Sequence, residues 1–76
     1  MPQFHYTAVF EPAVEGGFIV TVPALPGLVT EGDTIEEARA MVKDAIRGYL
    51  ENLLKHGEEI PIEASPASIE RVAVNI

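Results

Sequence analysis

The segment Gly32-Asp33-Thr34-Ile35-Glu36-Glu37 constrains this chain most, because it specifies where a helix must begin. Thr34 stands where a helix N-cap belongs. Its hydroxyl can accept from the amide of Glu37, and the Glu37 side chain can reach back to complete a capping box. Glu36 and Glu37 lie at the positive end of the helix dipole. Apolar residues then recur at Ile35, Ala38, Val42, Ala45, Ile46, Tyr49, Leu50, Leu53 and Leu54, spaced to form one face. Lys55 and His56 suit the negative end, and Gly57 is a C-cap glycine. The pattern predicts a helix over 35–56. Gly48 interrupts it at a cost of about 1 kcal/mol relative to alanine, for either of two reasons. It marks a close backbone approach to the sheet, or it is a weakness the helix tolerates.

Upstream the period changes to two. Phe4, Tyr6, Ala8 and Phe10 alternate with His5, Thr7, Val9 and Glu11, which predicts a half-buried strand ended by Pro12. Ala13 to Gly17 forms the turn. Phe18 to Val22 is a second, β-branched strand, antiparallel to the first because the connection is short. The run Pro23-Ala24-Leu25-Pro26-Gly27 cannot be a central strand, since two prolines remove ladder donors. Leu28 to Glu31 is a short third strand. Glu58 to Pro66 is a linker. Ile69 to Ile76 is expected to be a last strand, with Val72, Val74 and Ile76 on one face and Arg71, Ala73 and Asn75 on the other. The order β-β-β-α-β describes an α+β fold, a small antiparallel sheet with one long helix packed on one face.

A chain of 76 residues holds a single domain, here 1–76. One so small buries only about 60% of its unfolded surface. It contains no cysteine, so neither a disulfide nor a thiolate metal site can reinforce it. Oligomerisation is the remaining common source of buried surface, and an apolar last strand at a sheet edge invites pairing. A homodimer with Val72, Val74 and Ile76 in its interface is therefore expected. The N-terminal residues do not resemble a signal peptide, and no apolar run is long enough for a membrane span, so a cytoplasmic location is expected.

The net charge of −7 is unevenly placed. In the expected helix, Glu36, Glu37, Asp44 and Glu51 balance Arg39, Lys43, Arg47 and Lys55. Elsewhere Glu11, Glu15, Glu31, Asp33, Glu58, Glu59, Glu63 and Glu70 face only Arg71. Strands and loops therefore carry the whole excess. Such a surface repels nucleic acid and anionic membrane and attracts a basic partner.

Motifs for chemistry are sparse. His5 and His56 have no metal-ligand spacing, so no metal is expected, and His56 suits the helix C-terminus. Glu11, Glu31 and Asp33 could approach one sheet edge, but no motif fixes their separation, so no catalytic residue is assigned. Ser65 and Ser68 have no implied partner. Gly16-Gly17 lacks the lysine and following helix of a phosphate loop, and no cofactor is indicated. Arg39, Lys43 and Arg47 form a basic row, best read as a solvated face paired with neighbouring acids.

Together these segments resemble one family. Tyr6-Thr7-Ala8-Val9-Phe10-Glu11, Glu15-Gly16-Gly17-Phe18, Val22-Pro23-Ala24-Leu25-Pro26-Gly27, Thr30 to Ala38 and Gly57-Glu58-Glu59-Ile60-Pro61 look like the HicB-like antitoxins over nearly the whole chain. The proline–glycine loop followed by the G-D-T-x-E-E-A helix start is the specific combination. The resemblance implies a partial ribonuclease-H-like fold without nuclease activity. It also implies a small basic partner, a toxin that cleaves messenger RNA and whose RNA-binding surface is masked. Glu11, Glu15, Glu31 and Asp33 are the candidate partner-facing residues. Many members add a C-terminal DNA-binding region; these residues leave no room for one, so no direct nucleic-acid binding is expected. Leu28 replaces a cysteine frequent in the family. The alternative is an orphan homo-oligomeric structural or adaptor domain with no toxin.

Overall fold

The computed structural model describes residues 3–76. Three antiparallel strands, β1 (Val9–Pro12), β2 (Phe18–Thr21) and β3 (Val29–Gly32), form an open sheet in the order β1-β2-β3. One helix, α1 (Ile35–Lys55), follows and packs on one face. The molecule is an α+β layer, as its periodicities predict.

The helix ends are built as the sequence specifies. Thr34 is extended, and its Oγ1 accepts from the Glu37 amide at 3.1 Å. The expected return bond from the Glu37 carboxylate is not formed among the described residues. Glu37 lies exposed, where water serves its oxygens equally well. At the other end Gly57 takes φ +69°, and its amide donates to Leu54 O while Glu58 N donates to Leu53 O at 2.8 Å. This is a Schellman closure, and the left-handed residue it needs is the glycine. His56 is the C-cap, and its Nδ1 lies 2.8 Å from Asn52 O, so the imidazole does serve this terminus. Gly48 is exposed, with open space around its Cα, so no close approach to the sheet explains it.

The core consists of Val20, Val22, Leu25, Leu28, Ala38 and Val42, with Tyr6, Ala8, Phe10, Phe18, Ile46 and Tyr49 packed around them. Leu25 and Leu28 come from the proline–glycine loop, which folds inward. The Leu25 amide donates to Val22 O, and Tyr49 donates from its hydroxyl to Pro26 O at 3.1 Å. The two prolines keep the loop out of the sheet, and its leucines become part of the core.

Two strand expectations are corrected. The first ladder begins at Val9, not Phe4. Val9 pairs with Thr21, so continuing the register would set Thr7 opposite Pro23, which has no amide to donate. The alternation of residues 4–8 survives without a ladder: Tyr6 and Ala8 still pack on the core. Tyr6 instead donates from its hydroxyl to Pro61 O. Thr7 donates to Glu63 from its amide at 2.8 Å and from its hydroxyl at 2.6 Å. The second correction concerns Ile69 to Ile76. These residues join no sheet within the chain and are exposed throughout. A strand pattern supplies side chains for two faces but no hydrogen-bonding partner, and this segment meets none.

Candidate partner-binding surface

Antiparallel register divides the sheet into two faces. Phe10, Val20 and Thr30 form one cross-strand row, with Val20 fully buried under the helix. The neighbouring row, Glu11, Ile19 and Glu31, therefore points to the opposite face, as does the row Val9, Thr21 and Val29. No helix covers that face. Ile19 is 40% exposed and Val29 64%, so the open face has apolar side chains with a carboxylate on either side of Ile19.

Sheet geometry sets the acids' separation. Glu11 and Glu31 both pair with Ile19, which places them two strand spacings apart, about 10 Å. Ion-pairing groups on a partner can meet each of them separately. At the end of the sheet, Glu15, Glu31 and Asp33 line a polar cleft of about 230 Å³ with Ala13, Gly16, Phe18 and Gly32. The turn makes this possible. Gly16 and Gly17 hold φ +102° and +76°, and a Cβ on Gly17 would stand 2.6 Å from Gly32 O. The β1–β2 turn thus lies against the end of β3, bringing Glu15 to the same cleft as Asp33.

The structure therefore gathers Glu15, Glu31 and Asp33 and sets Glu11 in the Glu31 row. It leaves Val72, Val74 and Ile76 apart from them, at 79%, 75% and 121% exposure. Among the described residues, no group of histidine, cysteine and carboxylate side chains is arranged to hold a metal ion. No helix among them is long and apolar enough to cross a membrane. Sequence reasoning singled out the acids but missed Ile19 and Val29 as parts of the same surface. Strand alternation carried that signal, since Ile19 must point away from buried Val20.

Residues 6–75 match the family described as HicB-like antitoxin of bacterial toxin–antitoxin system. The chain belongs to the HicB-like antitoxin family. Similar proteins include UPF0150 protein Ta0767 of Thermoplasma acidophilum, 48% identical over 74% of this chain and 81% of that protein. Antitoxin HicB 1 of Photorhabdus laumondii is 40% identical over 79% of this chain. Antitoxin HicB of Escherichia coli K12 is 33% identical over 75% of it. The matched part is 39% and 41% of those two antitoxins, whereas it is most of the Thermoplasma protein. Family membership points to a toxin–antitoxin role for this HicB-like chain and implies a toxin partner.

Proposed function

We propose that this chain neutralises a small basic ribonuclease by binding it and covering its RNA-contacting surface, in the cytoplasm and without catalysis of its own. The observation that carries this reading is the open sheet face and its end. Glu11 and Glu31 flank exposed Ile19 there, Val29 lies exposed on the same face, and Glu15 and Asp33 join Glu31 at the end of the sheet. A ribonuclease must be basic where it holds phosphates. An acidic surface with an apolar centre competes for that same patch, and its charge speeds the encounter. The chain also acts as a homodimer, with Val72, Val74 and Ile76 in contact.

The test is capture of partners from a lysate of the native organism at low salt, followed by an RNA-cleavage assay on the retained small basic protein. The expected result is cleavage by the partner alone and its loss on adding this chain in equimolar amount. Replacing Glu15 and Asp33 by lysine should slow association at low salt while leaving folding intact. If the captured partner cleaves no RNA, or cleaves equally well with the chain bound, the occlusion reading fails. Recovery of the chain alone from a lysate shown to contain the candidate toxin favours the orphan adaptor.

A further inference from the structure

The chain holds two unsatisfied parts that match. One is the 69–76 arm, which alternates β-branched and polar residues, joins no ladder and is exposed along its length. The radius of gyration is 14.4 Å, against about 11 Å for a compact chain of this length. The other is the outer edge of β3. In a sheet ordered β1-β2-β3, nothing among the described residues pairs with that edge, so its outward amides and carbonyls await a strand. β1 is also an edge strand, but the segment that leads into it is already taken up, since Tyr6 and Thr7 are held by Pro61 and Glu63.

The surroundings of the β3 edge suit the arm on both faces. A hollow of about 370 Å³ bounded by Ile19, Val29, Thr30 and Glu31 lies beside it. On the helix, Val42, Lys43 and Ile46 turn toward the β1 side, where they share a groove with Tyr6 and Ala8. At 3.6 residues per turn, Met41 and Gly48 occupy the opposite flank, over β3. Met41 is 44% exposed and the space around Gly48 is open. A strand added at this edge with Val72, Val74 and Ile76 on its helix side would set those apolar side chains beneath that flank. The arm's other face would then lie beside Val29 and Glu31, and it carries Arg71, the one lysine or arginine outside the helix.

We infer that two copies of this chain exchange arms, residues 69–76 of each adding as a fourth strand to the free β3 edge of the other. The inference rests on the dimer reading above and adds the receiving edge. Each copy gives one strand and receives one, so the contact closes with twofold symmetry and leaves no open β3 edge.

Light scattering on the full chain tests the dimer, and cross-linking tests the edge. The expected mass is twice that of the 8.2 kDa chain. It should fall to the single-chain value in the double variant Val72→Lys, Val74→Lys, with helical circular dichroism unchanged because both side chains are exposed. The chain has no cysteine, so single ones can be placed cleanly. Ala73→Cys protein mixed with Val29→Cys protein, treated with a short bismaleimide, should yield the 73–29 link as the main product. Ala73→Cys mixed with Glu11→Cys, which reports on the β1 edge, should give little. A native chain of single-chain mass overturns the dimer and with it the exchange, as does a dimer that survives both lysines. Twofold mass with links only to position 11 keeps the dimer and overturns the β3 edge.

Discussion

Glu63 accepts two hydrogen bonds from Thr7, one from the amide and one from the hydroxyl, across 56 residues of chain. This clasp fastens the segment after the helix to the segment before β1, where no strand ladder does so. The Thr7 hydroxyl, and then its amide, hold the Glu63 carboxyl below its ordinary value of 4.5. A lowered native value means the clasp contributes fully above the ordinary value and is lost as pH falls through the lowered one. The Thr7 amide resonance should therefore titrate with a midpoint below 4.5, and Glu63→Gln should abolish that titration. A midpoint at the ordinary value would show that the clasp does not form in solution. Burial, and then the Glu63 charge, raise the neighbouring Tyr6 hydroxyl above its ordinary value.

Gly32→Ala should destabilise the fold sharply. An added Cβ would stand 2.5 Å from the Ala38 amide nitrogen and 2.7 Å from its Cα, both backbone atoms of the helix. Helix and strand would have to separate. An overpacking cost of about 2 kcal/mol is expected, and for a domain of this size the melting temperature should drop on the order of 10 °C. A melt within a degree or two of the native chain would mean the helix start can shift freely.

Thr34→Ala removes the acceptor for the Glu37 amide. Denaturant unfolding should register a loss of about 1 kcal/mol, with Thr34→Ser restoring most of it. If serine fails to restore stability, the threonine methyl matters more than its oxygen.

Leu25→Ala tests the inward folding of the proline–glycine loop. Leu25 has no exposed surface. Its truncation should cost about 2–5 kcal/mol, enough to unfold much of so small a domain at room temperature. The same change at Leu54, which is 62% exposed, should be nearly silent by circular dichroism. Equal effects at the two positions would contradict the core described above.

The elements whose causes are local were legible in the residues. The helix from Ile35 to Lys55 is set by Thr34, an apolar stripe and Gly57, all within reach of its own backbone. The hairpin turn needed positive φ, and Gly16 and Gly17 provided it. The acidic excess on strands and loops could also be read directly, since it requires only residue identities and a helix boundary. Elements that need a distant partner were not legible. Whether Phe4 to Ala8 pairs depends on what lies across from it, and the register places Pro23 opposite Thr7. The hold on that segment comes instead from Glu63, which no spacing rule singles out. Ile69 to Ile76 has a strand's alternation, yet a strand exists only once its backbone groups are paired, and none of the described residues pairs them. Local propensity and caps are fixed by neighbours in sequence. Only tertiary structure decides which backbone groups find a partner and which acids share a surface, because those depend on contacts between residues far apart in the chain.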